Sequence, residues 1–87
     1  MTYRIEIRKS AQDELNNLPR KDRIRISEKI NALAENPRPS GCVKLSGGLN
    51  LWRIRSGDYR IIYSIRDDVL IVQIVTVAHR RESYRGL

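Results

Sequence analysis

The chain carries one cysteine, Cys42, so no disulfide can form within it, which suits a reducing compartment. It has one histidine, His79, and no Cys, His and carboxylate set with the spacing of metal ligands, so nothing points to a metal-dependent nuclease. Ser46-Gly47-Gly48 is its only glycine-rich stretch and lacks the flanking pattern of a P-loop or a dinucleotide fold; a plain loop is the better reading. The longest apolar run, Val69-Leu70-Ile71-Val72, falls far short of the roughly 20 residues that span a bilayer. The first residues alternate charged with apolar side chains and contain no hydrophobic signal core, so a cytoplasmic protein is expected. Repeats, linkers and low-complexity segments are absent.

Charge is present in excess. The 87 residues, enough for one domain spanning 1–87, hold 17 Lys and Arg against 10 Asp and Glu, a formal net charge of +7. A 40% hydrophobic and 31% charged composition fits a folded domain. An excess of this size on a small domain favours polyanionic partners such as RNA, DNA, the ribosome or an acidic protein. The kind of base sharpens this: from Lys44 onward there are seven arginines and one lysine against four acids. Arginine is suited to planar, two-pronged contacts with phosphate.

Tyr3, Ile5 and Ile7 alternate with Arg4, Glu6 and Arg8, the period of a half-buried strand. Ser10 offers an N-cap, with Asp13 as a weak capping-box partner, for a short helix carrying Ala11, Leu15 and Leu18 and ending at Pro19. A second helix is expected from Arg20 or Asp22 to about Asn36, with Ile26, Ile30 and Leu33 as its buried stripe and Ile24 off it. Asn36 to Gly41 stops it. Three strands follow, Leu51 to Arg55, Tyr59 to Arg66 and Val69 to Val77, with turns at Ser56-Gly57-Asp58 and Asp67-Asp68. The expectation is an α+β domain, a helical hairpin packed on a four-stranded, mostly antiparallel sheet.

Within Trp52-Arg53-Ile54-Arg55, strand alternation sends Trp52 and Ile54 to one side and both arginines to the other, about 7 Å apart. Hairpin pairing can bring Arg60 beside them, and Arg80 and Arg81 follow the last strand. Singly, each is an ordinary solvent-facing arginine; together they suggest a phosphate-binding face. Arginine holds a phosphate and stabilises its developing charge but cannot act as a base. Proton transfer must come from elsewhere, and the nearby candidates are His79, Glu82 and Tyr84.

The segments Leu18-Pro19, Lys44-Leu45-Ser46-Gly47, Trp52 to Tyr63 and Val77 to Arg85 resemble, in order, the RelE/ParE superfamily of type II toxins. The most specific are Arg53-Ile-Arg-Ser-Gly-Asp-Tyr-Arg-Ile-Ile-Tyr63 and Ala78-His-Arg-Arg-Glu-Ser-Tyr-Arg85. The resemblance implies a β-α-α-β-β-β fold with the first strand added beside the last, and a cognate antitoxin, acidic and folding on binding, in a higher-order complex. It also implies entry into the ribosomal A site and metal-independent cleavage of mRNA, by attack of the ribose 2′-hydroxyl on the adjacent phosphate. No cofactor is implied. Arg53, Arg55, Arg60, Arg80 and Tyr84 fall on the family's catalytic positions, with Lys44, Arg81 and Arg85 as further RNA contacts. Two of these positions are lysine in some members, so acid–base roles given to lysine there do not transfer. The alternative within the superfamily is a ParE-like, non-enzymatic inhibitor of DNA gyrase.

Overall fold

The computed structural model describes residues 2–45, 47 and 50–79. Its elements run β1 (Arg4–Ile7), α1 (Lys9–Asn16), α2 (Arg20–Ala32), β2 (Val43–Lys44), β3 (Leu51–Ser56), β4 (Tyr59–Arg66) and β5 (Ile71–His79). They form one sheet in the order β1-β5-β4-β3-β2, antiparallel except where β1 lies parallel to β5. The α+β architecture and the placing of the first strand beside the last are as expected. The sheet has five strands rather than four. The extra one, β2, is two residues long and is defined by its pairing, Val43 opposite Arg53 and Lys44 opposite Trp52, so no alternation announces it.

The helical stripe meets one face of the sheet. Ala11, Leu15, Ile26, Ile30 and Leu33 pack with Ile54, Ile61, Tyr63, Ile65, Val72, Ile74 and Val77 into one buried cluster. Each fully buried aliphatic side chain contributes about 1.5–3 kcal/mol, so this cluster dominates the fold's stability. The phenol of Tyr63 is buried with it and donates to the Pro37 carbonyl at 2.8 Å, tying β4 to the loop after α2.

Element boundaries depart from the sequence reading in several places, and α1, which ends at Asn16, leaves Leu18 outside the helix. The N-cap of α1 is Arg8, in extended conformation and without a side-chain cap, and Ser10 lies inside the helix. The chain turns straight from β1 into α1, with the Arg8 N–H still donating to Ile74 of β5, which leaves no room for a separate capping residue. The second helix ends at Ala32, and residues 33–35 continue as a turn. The last strand begins at Ile71 because the β4–β5 turn extends through Leu70, whose φ of +54° is unusual for a residue with a Cβ. The Leu70 carbonyl accepts from the Arg4 N–H at 2.8 Å, so this turn delivers the acceptor that starts the parallel pairing of β1.

Candidate nucleic-acid interface

Strand pairing decides which side chains share a face. In the β3–β4 hairpin Arg55 is directly opposite Arg60, Arg53 opposite Ile62 and Leu51 opposite Ser64. The alternate pairs, Trp52 with Tyr63 and Ile54 with Ile61, belong to the helix-packed face. Arg53, Arg55 and Arg60 therefore stand together on the face away from the helices. The hairpin closes through Gly57-Asp58, and Gly57 has φ +59°, the left-handed conformation a two-residue turn of this twist requires.

Two like charges directly across an antiparallel pair repel, so the Arg55–Arg60 pairing concentrates positive charge at this end of the hairpin. The strand carboxylate on this face, Glu6, lies beyond β4 and β5 and is paired with Arg4 at 2.8 Å. The Nε of Arg53 is buried and has no hydrogen-bond partner among the described residues. A buried, unmatched donor is rare in a folded protein and marks a place where an acceptor is missing. Ile62, wholly buried between these arginines, gives the face a rigid apolar floor.

Two sequence candidates fall on the opposite face. Lys44 pairs with Trp52, and its ammonium lies 5.8 Å from the Trp52 ring centroid. It joins a cluster in which Arg38 covers the same ring at 5.0 Å and makes a two-pronged ion pair with Asp67. Asp67 also accepts from the Tyr3 hydroxyl. The Arg38 guanidinium, and then the Tyr3 phenol, hold the Asp67 carboxyl below its ordinary value. This cluster is a strap joining β1, the loop after α2 and the β4–β5 turn. Lys44 is thus separated by the sheet from the arginines with which it was grouped.

His79 is the second. It pairs with Tyr59 and meets that ring edge-on at 5.3 Å, on the helix side, whereas Ala78 is opposite Arg60. A β-bulge produces this: Ile62 pairs with Thr76 but Tyr63 with Ile74, so Val75 is an extra residue and the parity of β5 switches there. Glu14 of α1 braces the switched segment, accepting from the Thr76 hydroxyl at 2.9 Å and the Val77 N–H at 3.0 Å. Without the extra residue, His79 would share a face with Arg60. Arg80, Arg81, Glu82, Tyr84 and Arg85 lie outside the described residues. Among the described residues, no group of three His, Cys, Asp or Glu side chains is placed to hold a metal ion, and no helix is long and apolar enough to cross a membrane.

Beside the basic face runs a groove of about 740 Å³, between the C-terminal half of α2 and the edge of β3. Leu33 and Ile54 are among its apolar lining; Lys29, Arg53 and Arg55 bring charge to it. β2 stops at Val43, opposite Arg53, so β3 has no strand partner on this side from Ile54 onward. Sequence reasoning did not find this groove, since it depends on how far β2 extends.

Comparison with known proteins agrees with this fold. A family model described as the ParE toxin of the type II toxin–antitoxin system parDE matches residues 5–84. Toxin RelE of Mycobacterium tuberculosis is 33% identical over 84 residues, covering 95% of this chain and 87% of that protein. The archaeal RelE–RelB complex of Pyrococcus horikoshii contains a chain of TM-score 0.82 and 33% identity, covering 95% of this chain and all of that one. The toxin–antitoxin complex RelBE2 of Mycobacterium tuberculosis gives TM-score 0.81 at 26% identity, covering 92% and 100%.

Proposed function

We propose, for a chain that belongs to the ParE toxin family of type II toxin–antitoxin systems within the RelE/ParE superfamily, that it is a RelE-type toxin cleaving mRNA on the ribosome. The observation that carries this reading is the convergence of Arg53, Arg55 and Arg60 on the sheet face away from the helices, with the Arg53 Nε buried and lacking an acceptor among the described residues. A phosphodiester suits that face: its negative charge matches a surface where arginines stand side by side, and its oxygens offer the acceptor that the Arg53 Nε has not found among the described residues.

The chemistry follows from what arginine can do. In the proposed step the ribose 2′-oxygen attacks the adjacent phosphorus, its proton departs, and the 5′-oxygen of the next nucleotide leaves with a proton. The products are a 2′,3′-cyclic phosphate and a 5′-hydroxyl. Arg55, Arg60 and Arg80 hold the phosphate and stabilise the charge that builds on its oxygens, while Arg53 anchors a neighbouring phosphate. None of them transfers the proton. His79 lies across the sheet, so the proposal gives that role, or stacking on a base, to Tyr84. No metal takes part in these steps. Arg81 and Arg85 contribute further RNA contacts. A cognate antitoxin with an acidic, folding-on-binding segment neutralises the basic surface, as RelB is the partner in the neighbouring structures.

The experiment is single-turnover cleavage of ribosome-bound mRNA by wild type, Arg60→Ala, Arg80→Ala and Tyr84→Phe. Each arginine variant is expected to lose about 10²–10³ in rate, and Tyr84→Phe separates the hydroxyl from the ring. EDTA is expected to leave cleavage intact when the ribosomes keep their own Mg²⁺. Full rates from both arginine variants would overturn the basic face as the active site, and gyrase-linked DNA breaks without mRNA cuts on induction would overturn the reading in favour of gyrase inhibition.

A further inference from the structure

The second concentration of positive charge lies on α2. Lys21, Arg25 and Lys29 recur at i, i+4 and i+8, so they form one exposed row with a step of about 6 Å along the helix. The row flanks the buried stripe of Ile26, Ile30 and Leu33, and its last member, Lys29, lies beside Leu33 in the groove. Among the described residues none of the three makes an ion pair, although Glu28 is within one turn of Arg25.

This row opposes helix stability. Like charges at i, i+4 cost about 0.2–0.5 kcal/mol per pair. Arg20, Lys21 and Arg23 also crowd the first turn, where the helix dipole disfavours cations and only Asp22 offsets them. A solvated helix face carries alternating charges at no such cost, so the arrangement calls for an anionic partner. The row also leads somewhere. Lys29 at its end lines the same groove as Arg53 and Arg55, so positive charge is continuous from Lys21, over the β3 edge, to the open sheet face.

We infer that Lys21, Arg25 and Lys29 form a second phosphodiester-binding track, which holds the RNA strand where it runs off the basic sheet face and past the β3 edge. The inference rests on the sheet face being an RNA site. It assigns a separate job to α2: the track binds backbone without reading sequence and leaves the reaction to the sheet. An evenly spaced row of point charges suits successive phosphates of one strand. The groove beside it, with Leu33 and Ile54 in its lining, has room for a base of the same strand.

The test uses full-length protein and 2′-O-methyl RNA, which binds but cannot react, in a short form that spans the sheet face and one twice as long. Binding is followed by fluorescence anisotropy against salt for wild type and for Lys21→Ala/Arg25→Ala/Lys29→Ala, with the matching triple Gln variant as a second removal of charge. All three positions are exposed, so the fold is expected to persist, checked by thermal melting. The short RNA should bind all proteins alike. With the long RNA, the logarithmic salt slope of both variants should be smaller by about 2, since each single-strand phosphate contributes about 0.7. Between about 50 and 200 mM salt, wild type then loses about twentyfold more affinity for the long RNA than the variants do. Equal slopes overturn the track while leaving the sheet face intact. So does unchanged RNA binding with weakened antitoxin binding, which would give the row to a protein partner. Short-RNA binding that ignores Arg53→Ala overturns the sheet-face reading, and the track with it.

Discussion

The two faces of the β3–β4 hairpin are made from alternate residues of the same two strands, yet they obey opposite rules. On the helix side Ile54, Ile61, Tyr63 and Ile65 are buried against α1 and α2, and the buried phenol has its acceptor at Pro37. On the other side Arg55 faces Arg60, and the Arg53 Nε is buried without one. Every local choice on the first face agrees with the fold; the second carries repulsion and an unmet donor. Sequences that specify one structure break such rules mainly at functional sites. On the proposed reading, the contrast separates residues that hold the fold together from residues that meet the RNA.

The largest expected effect breaks the comparison at both faces at once. Ile30→Ala, at a wholly buried site, should cost about 2–5 kcal/mol by urea unfolding. That is a large share of the roughly 5–15 kcal/mol available to a domain. Arg55→Ala removes one side of a like-charge pair, so its unfolding midpoint should stay level or rise, while RNA affinity falls. If Arg55→Ala unfolds the protein as Ile30→Ala does, the two faces do not differ in kind and the basic face is structural.

Much of this division is legible in the sequence, because it rests on alternation and on a short hairpin. Trp52-Arg53-Ile54-Arg55 assigns its own faces, and the turn at Gly57-Asp58 sets Arg60 opposite Arg55. What escapes is parity across an irregularity. Nothing in Val72-Gln73-Ile74-Val75-Thr76-Val77 shows which residue is extra, since β-branched side chains suit either side; the bulge at Val75 nonetheless moves His79 away from the arginines. The side on which Lys44 lies is unreadable for a related reason, its strand being too short to show a period. The Ser10 cap fails because β1 runs straight into α1.

A middle-sized effect sharpens the comparison within the helix-side face. Tyr63→Phe keeps the ring and removes the hydroxyl that donates to Pro37. Burial pushes this phenol well above its ordinary ionisation range, so it stays a neutral donor across the working pH. Its loss strands a buried carbonyl and should cost about 1–3 kcal/mol. RNA binding should not change, because Tyr63 points away from Arg53 and Arg60. A Tyr63→Phe variant with normal stability and weakened RNA binding would show that the loop after α2 serves the ligand rather than the fold.

The smallest effect concerns the strap of Tyr3, Arg38 and Asp67, which belongs to neither face and should behave as exposed ion pairs do. The folded-state pKa of Asp67 is depressed, chiefly by hydrogen bonds from Arg38 and then by Tyr3. Its contribution is therefore fully present above the unfolded carboxyl's value, near 4, and disappears as pH falls through the lower folded value. Asp67→Asn should accordingly melt slightly below wild type at neutral pH, by a few degrees or less. The two melting curves should converge below about pH 4, once the wild-type carboxyl is protonated as well. High salt should narrow the neutral-pH gap, because Arg38 and Asp67 are both substantially exposed and screened. A gap that persists unchanged into acid would mean that Asp67 acts through the shape of the β4–β5 turn, where Leu70 adopts its left-handed conformation, and not through its charge.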